Sequence, residues 1–206
     1  MHAPNRRGGF SRRAFLKGTG VAAATAAIGE ASLQAIADEK GPTILGPDRV
    51  KVQFKVNGGL IVEEIEPRTT LAELLRTNLD MTGTKVVCDR GSCSACTVWL
   101  DGTPVCSCMT LAMDARGKDI KTIEGLADGD KLHPVQEQFI EHDAMQCGFC
   151  TPGMIMSCAA LLEQNKPPTL DDVKHATRGN LCRCGTYPKV FAATLDAAKQ
   201  LNGPKS

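Results

Sequence analysis

Aromatic residues are scarce in this sequence: they make up 4% of its 206 residues and include one Trp and one Tyr. Because aromatic side chains contribute much of a domain's buried area, their scarcity limits the chain to modest hydrophobic cores that need additional staples. The sequence also lacks the Gly-x-Gly-x-x-Gly fingerprint of a dinucleotide-binding fold, so it offers no flavin or nicotinamide domain of that type. No apolar run reaches the ~20 residues that a membrane-spanning helix needs.

An excess of charge of one sign is missing as well. The chain has 24 Lys and Arg against 23 Asp and Glu, and five of the basic and one of the acidic residues lie in the first 37. The remainder therefore holds 19 basic and 22 acidic residues, a net charge of −3. A nucleic-acid-binding protein presents a concentrated basic field, so we expect no nucleic-acid partner.

The basic residues at the amino terminus are typical of an export signal. Arg12-Arg13 stand before Phe-Leu-Lys, a mildly apolar stretch runs from Gly18 to Ile28, and Ala35-Ile36-Ala37 has the small-x-small pattern of a cleavage site. The pattern resembles a twin-arginine signal; a basic tail without an export role is the alternative. We therefore predict a signal peptide at residues 1–37 and a periplasmic location in a bacterium.

Cysteine, by contrast, is abundant, with ten residues. Cys88-x4-Cys93-x2-Cys96, followed by a later cysteine, has the spacing of a plant-type [2Fe-2S] ferredoxin. Four thiolates must reach two irons, so the loop must bend inward, and Gly83 and Gly91 give its backbone that freedom. Three alternatives compete with a cluster: a zinc site, the disulfides of an exported protein, and buried free thiols.

The fourth ligand of this first group is ambiguous. Cys106 and Cys108 both follow, two residues apart, and they share a face if that segment is extended. Spacing alone does not choose between them.

A second group pairs Cys147-x2-Cys150 with Cys182-x-Cys184. Cys-x2-Cys alone suits zinc or a redox dithiol, whereas Cys-x-Cys is less usual at a tetrahedral zinc ion. Two such pairs brought together at helix ends can hold a [2Fe-2S] cluster. Zinc is the main alternative here.

The order of the predicted elements gives the fold class. Periodicity and turn signals predict, in chain order, strands at 50–56 and 60–65, a short helix opened by a Thr70–Glu73 capping box, and strands at 97–100 and 120–123. Helices are then predicted at 135–142, at 152–162, after Thr169 and at 188–201. We predict an α+β chain with a linker at 38–49, a β-rich domain at 50–125 and an all-α domain at 126–206.

Two sets of motifs resemble the xanthine dehydrogenase/aldehyde oxidase family. Those similar to its plant-type cluster domain are Gly83-Thr84-Lys85, Cys93-Ser94-Ala95-Cys96-Thr97-Val98 and Ser107-Cys108-Met109-Thr110-Leu111-Ala112. Those similar to its second cluster domain are Leu132-His133-Pro134-Val135-Gln136, Gln146-Cys147-Gly148-Phe149-Cys150-Thr151-Pro152-Gly153 and Asn180-Leu181-Cys182-Arg183-Cys184-Gly185. The resemblance covers residues 50 to about 200 and keeps the family's order, which makes it specific.

The resemblance implies an N-terminal β-grasp plant-type ferredoxin domain followed by a four-helix-bundle [2Fe-2S]-binding domain. It implies two sets of cluster ligands: Cys88, Cys93, Cys96 and Cys108 for the plant-type cluster, and Cys147, Cys150, Cys182 and Cys184 for the helical cluster. Cys106 and Cys158 are then non-ligands, the latter a core thiol in mid-helix.

Two positions depart from the family pattern. Ser94 stands where the family usually has Gly, and a serine fits there if it avoids a positive φ. Gly185-Thr186-Tyr187 stands where many members have Thr-Gly-Tyr.

The resemblance also implies a function, that of an electron-transfer subunit, itself without catalytic residues, of a molybdenum hydroxylase acting on aldehydes, xanthine or N-heterocycles. In the family the helical cluster lies next to a molybdenum–pterin cofactor in a large partner subunit, and positions matching Gln146 and Cys150 approach the pterin. Electrons then pass through the helical cluster, the plant-type cluster and on to an FAD subunit or a c-type cytochrome. The alternatives are a stand-alone two-cluster ferredoxin-like carrier and a disulfide-stapled binding module.

Overall fold

The computed structural model describes residues 46–164 and 167–202. The predicted signal peptide and most of the predicted linker lie outside the described residues. The described residues belong to one compact unit. None of its described helices is long and apolar enough to cross a membrane.

One mixed sheet dominates the first part of the described chain. Its five strands are β1 (Val50–Val56), β2 (Gly59–Ile65), β3 (Thr97–Leu100), β4 (Thr103–Cys106) and β5 (Asp119–Lys121). Their order across the sheet is β2-β1-β5-β3-β4, with β1 and β5 parallel and the other neighbours antiparallel. The β1–β2 turn has positive φ at Asn57 and Gly58, as a tight two-residue hairpin requires.

A short helix packs against this sheet. Helix α1 (Leu71–Glu73) continues as a π-helical turn, Leu74–Asn78. The Thr70 hydroxyl accepts a 3.2 Å hydrogen bond from the Glu73 amide, which is half of the predicted capping box. Leu71, Leu74 and Leu75 are fully buried in the sheet's core, as the sequence predicts.

Four helices follow in the described residues: α2 (Pro134–Glu141), α3 (Thr151–Leu162), α4 (Leu170–Thr177) and α5 (Tyr187–Asn202). Helices α2 and α4 each begin with a complete capping box, at His133 and Thr169. Helix α3 starts directly after Cys150, and α5 starts three residues after Cys184. The chain therefore places the second cysteine group at the amino-terminal ends of two helices.

Two main hydrophobic cores lie in the unit, one against the sheet and one among the helices. Trp99, on β3, belongs to the helical core: its indole Nε1 donates a 2.9 Å hydrogen bond to the carbonyl oxygen of Met156 in α3. This side chain ties the sheet to the helices.

The predicted α+β class is confirmed, and each predicted strand and helix has a counterpart in the structure. The chain is not extended through Cys108, because β4 ends at Cys106 and Ser107–Met109 forms a 3₁₀ turn. Cys106 and Cys108 therefore do not share a strand face.

Candidate metal centres

The loop between α1 and β3 holds the first cysteine group, and its backbone amides point at sulfur. The Ser92 amide donates to Cys88 Sγ at 3.3 Å, and the Gly91 amide donates to Cys108 Sγ at 3.4 Å. Gly91 reaches this geometry with a φ of +70°, which favours glycine. The amide of Arg90 first, then the Cys93 thiol and further loop amides, lower the pKa of Cys88 to about 7. The loop is thus built to favour a thiolate at Cys88.

The four sulfurs that the resemblance assigns to this group interact with one another. The Cys88 thiol interacts with that of Cys93, and the Cys108 thiol interacts with those of Cys96 and Cys88. Burial raises the pKa of Cys108 to about 11, against the effect of the Gly91 amide. A cation beside such a buried sulfur would favour its thiolate form.

Cys106 packs at the edge of the cluster formed by Ala72, Cys96 and Cys108, and its sulfur has other partners. Its sulfur lies 3.7 Å from the Ser94 hydroxyl and 3.9 Å from the Gly91 carbonyl oxygen. Cys108, in contrast, is buried beside Cys96 and Ala72. This geometry favours Cys108 as the fourth ligand of the first group.

Ser94 has a positive φ, although a serine was expected to fit this position only without one. It adopts a φ of +52°, in the left-handed region that a non-glycine residue enters only at a cost. Its carbonyl oxygen accepts three hydrogen bonds, from the Thr97 amide, the Thr97 hydroxyl and the Asn180 side chain. These contacts stabilise the turn despite the unfavourable backbone angle.

The second group is assembled from two segments. Cys147 and Cys150 flank Gly148, whose φ of +81° turns the chain into α3. Cys182 approaches from the segment before α5, and the Cys150 thiol interacts with those of Cys182 and Cys147. Burial raises the pKa of Cys150 to about 12. Cys150 thus interacts directly with Cys182 and electrostatically with Cys147, and Cys184 lies exposed in the same turn as Cys182.

Cys182 is held by two neighbours, Thr186 and Tyr187, that are not among the predicted site residues. Its sulfur lies 3.2 Å from the Thr186 hydroxyl, and its amide donates a 2.7 Å hydrogen bond to the Tyr187 hydroxyl. Burial opposes ionisation of this thiol, but donors from the Thr186 side chain and from the Thr186 and Gly185 amides lower its pKa to about 7. No periodicity signals such a role; the proximity of Thr186 to a predicted ligand was the available hint.

The two cysteine groups meet directly. The Leu181 amide donates a 3.1 Å hydrogen bond to the Cys93 carbonyl oxygen, and the Asn180 side chain donates to Ser94 at 3.2 Å. Gly153, in the first turn of α3, packs so closely on the backbone of Ser94 and Ala95 that a Cβ there would overlap it. The Cys93–Cys96 loop is therefore seated on the helical part at both segments that carry the second group.

An open cavity of about 560 Å³ lies where the two cysteine groups meet. Five cysteines line it, from both groups: Cys88, Cys93, Cys147, Cys150 and Cys182. Three large apolar side chains at its border are more than half exposed: Val87 at 58%, Phe149 at 51% and Leu181 at 57%. Exposed apolar side chains grouped in this way are typical of an interaction surface.

The remaining predicted residues lie outside this cavity. Gln146 is exposed next to Cys147. Cys158 is fully buried in the middle of α3, where burial raises its pKa to about 12 and its neighbour is Thr194, so it is a core thiol as predicted.

The donor set suits [2Fe-2S] clusters. Each group offers cysteine thiols that already interact, and amide or hydroxyl donors are aimed at Cys88, Cys108 and Cys182, as the sulfurs of a cluster require. In the described part of the chain, no three His, Cys, Asp or Glu side chains are arranged to hold a single metal ion. A [2Fe-2S] cluster binds two thiolates on each iron, so its ligands are spread more widely than those of one ion.

Comparison with known proteins identifies the family. The family described as "[2Fe-2S] binding domain" matches residues 122–195. The nicotine 6-hydroxylase small subunit of Paenarthrobacter nicotinovorans is 47% identical over 154 residues, 75% of this chain and 93% of that protein. This chain belongs to the small iron–sulfur subunits of the xanthine dehydrogenase/aldehyde oxidase family.

Two further members extend the likeness. The aldehyde oxidoreductase iron–sulfur-binding subunit of Escherichia coli K12 is 39% identical over 208 residues, 93% of this chain and 90% of its own length. In the crystal structure of quinoline 2-oxidoreductase from Pseudomonas putida 86, one chain superposes with a TM-score of 0.72 at 40% identity, covering 77% of this chain and 99% of that one. The iron–sulfur subunit family and its fold therefore extend over most of the described residues.

Proposed function

We propose that this chain is the electron-transfer subunit of a molybdenum-dependent hydroxylase. The observation that carries the proposal is the direct junction of two cysteine groups, through Leu181 and Cys93, in a member of this subunit family. A protein built to conduct electrons needs redox centres close together and joined through its interior, and this junction meets that need. No residue of this chain is assigned a catalytic role.

The first centre comprises the sheet and its loop, and the second comprises the helices. We assign Cys88, Cys93, Cys96 and Cys108 to a plant-type cluster in a β-grasp domain at residues 50–125, and Cys147, Cys150, Cys182 and Cys184 to a cluster in a four-helix domain at 126–206. The parallel pairing of β1 with β5 and the two separate cores support this division. When bound, each [2Fe-2S] cluster accepts and returns one electron.

The partner subunit holds the molybdenum–pterin cofactor and docks, in this proposal, on the cavity side of the helical group. Phe149 and Leu181 supply exposed apolar area beside Cys150, and exposed Gln146 supplies a polar contact for the pterin. A partner seated here would exclude water from the cysteines that line the cavity.

Electrons from the partner's substrate arrive one at a time and meet the helical group first. The hydrogen bond from the Leu181 amide to the Cys93 carbonyl then offers a short route to the plant-type group. From there they leave to an FAD subunit or a c-type cytochrome. The amino-terminal arginine pair supports twin-arginine export to the periplasm.

Purification at native expression levels tests the proposal. Expected is a complex that contains molybdenum and a large subunit, whose iron–sulfur absorbance bleaches when the enzyme's substrate is added. Isolation of this chain alone, with iron but without a molybdenum protein, would instead support a stand-alone ferredoxin-like carrier.

A matched pair of variants tests the docking surface. Phe149→Asp places a charge at the cavity border and should reduce recovery of the large subunit at least tenfold, because burying an unpaired charge at an interface is costly. Ile140→Asp changes an equally exposed apolar residue on α2, away from the cavity, and should leave recovery unchanged. Equal recovery from both variants would place the docking surface elsewhere.

A further inference from the structure

The Thr186 hydroxyl contacts the sulfur of Cys182 instead of capping its own helix. Thr186 is only 4% exposed and directly precedes α5, a position where threonine usually caps its own helix through its side chain. Here the Lys189 amide, from which a capping hydroxyl would accept a hydrogen bond, bonds instead to the Thr186 carbonyl oxygen, and Pro188 has no amide proton to offer. The hydroxyl lies 3.2 Å from Cys182 Sγ, a short contact for a hydrogen bond to sulfur.

The direction of this hydrogen bond follows from the chemistry of a ligand sulfur. A cysteine that binds iron is a thiolate and has no proton to give. Thr186 must then donate and the sulfur accept. The Gly185 amide bonds to the Cys182 carbonyl oxygen at 3.4 Å, so the turn before α5 is tied to Cys182 through the backbone as well.

We propose that the Thr186 hydroxyl raises the reduction potential of the helical cluster by donating a hydrogen bond to Cys182. The inference rests on the proposed function, since it takes Cys182 as a ligand. One-electron reduction adds one negative charge to the cluster and its thiolates, with no proton taken up. A fixed donor stabilises the more negative state more, so it favours reduction.

This donor helps the helical cluster to accept electrons from the molybdenum subunit. Both Cys182 and Cys150, which interacts with it, are half-buried, and burial disfavours added negative charge on their sulfurs. Thr186 offsets that effect on the sulfur across from it. It is a positioning residue, which acts on the cluster through Cys182.

The test is an EPR-monitored redox titration of the full chain in its complex, comparing the wild type with Thr186→Val. Valine keeps the shape and removes the hydroxyl. At a fixed potential the ratio of reduced to oxidised helical cluster should fall about tenfold, a downward shift of about 59 mV for one electron. The plant-type cluster should titrate as before. Thr186→Ser keeps the donor, so its helical cluster should have a reduction potential close to that of the wild type.

Thr177→Val is the matched control. Thr177 is a buried threonine in α4 whose hydroxyl bonds to its own helix, at the Val173 carbonyl, so its loss should leave both potentials unchanged. A Thr186→Val shift no larger than that of this control, or a Thr186→Ser protein that shifts as far as Thr186→Val, would overturn the inference.

Loss of the helical cluster from Thr186→Val is also informative. If Thr186→Ala loses it too while Thr186→Ser retains it, the hydroxyl is required at Cys182, which supports the inference. Equal loss in all three would show that packing alone is at issue and would overturn it. A wild-type protein without two iron–sulfur signals would refute the proposed function instead, so the two failures are distinguishable.

Discussion

The backbone amide of Leu181 donates a hydrogen bond to the carbonyl oxygen of Cys93, at 3.1 Å. Leu181 directly precedes Cys182, so one hydrogen bond joins the immediate neighbourhood of one cysteine group to a member of the other. The Asn180 side chain adds a second hydrogen bond, which it donates to the Ser94 carbonyl oxygen at 3.2 Å. The backbone bond between Leu181 and Cys93 therefore holds the two groups together independently of side-chain substitution, and the Asn180 side chain adds a second contact.

The close packing of the Cys93–Cys96 loop against Gly153 of α3 gives the first prediction. A methyl group at Gly153 would overlap the Ser94 carbonyl oxygen and press on Ala95, and backbone atoms do not rotate away as a side chain does. Gly153→Ala should therefore lower the free energy of unfolding by about 1–3 kcal/mol, measured by urea denaturation. Gly59→Ala, whose new methyl makes only an ordinary contact with Val56, is the control and should lose far less.

The fourth ligand of the plant-type group gives the second prediction. Cys108→Ser should abolish one of two EPR signals and about half of the bound iron, since the Cys108 thiol interacts with the Cys96 thiol and lies within electrostatic range of Cys88. Cys106→Ser should retain both signals, because Cys106 faces the Ser94 hydroxyl. The reverse pattern would assign the ligand to Cys106.

Ser94 gives the third prediction. At its φ of +52° a non-glycine residue costs roughly 1 kcal/mol relative to glycine. Ser94→Gly should raise the free energy of unfolding by about that amount. Ser94→Ala keeps the backbone cost and removes only the hydroxyl, so it separates the two effects; a stabilisation equal to that of glycine would show that the hydroxyl, not the backbone, is unfavourable.

His133 gives a pH-dependent prediction. Its Nδ1 accepts a 3.2 Å hydrogen bond from the Val135 amide at the start of α2, a role that protonation removes. Burial lowers its pKa below 6.5, with Lys121 acting in the same direction and Glu163 and Glu137 opposing. The unfolded chain therefore binds the proton more readily, so this contribution to stability is complete above pH 6.5 and is lost as pH falls below it.

The midpoint urea concentrations of unfolding, measured at pH 7.5 and 6.0, test this pH dependence of stability. His133→Asn retains a capping oxygen that does not titrate, and it should lose less stability between these two pH values than the wild type. His133→Ala should be less stable at both, by roughly 1 kcal/mol, because it has no cap. An equal pH dependence in wild type and His133→Asn would assign the effect to other groups.

Local features of this fold were predictable from the sequence, whereas long-range ones were not. The alternation of Val52, Phe54 and Val56 identifies β1 because a strand has one buried face, and the Asn57-Gly58 turn follows from its backbone requirement. The cysteine spacings pointed to both groups. Residues 1–37 lie outside the described residues, so their role as a signal stays a prediction.

The choice of Cys108 and the position of Ser94 depend on contacts that spacing does not encode. Asn180 lies 86 residues from Ser94 in sequence, so the hydrogen bond between them is visible only in the packed structure. The contact between Thr186 and the Cys182 sulfur was not predictable either, since the sequence shows only that Thr186 stands near a predicted ligand, where the order of residues departs from the family's. The π-helical turn at Leu74–Asn78 likewise has no counterpart in the apolar periodicity, which is satisfied by an ordinary helix.

Iron and acid-labile sulfide per chain, measured together with EPR of the reduced protein, test the central claim most directly. Two [2Fe-2S] clusters predict four irons, four sulfides and two distinct signals, about half of each disappearing in Cys108→Ser. Two irons with bound zinc, or a colourless protein without iron, would contradict the account.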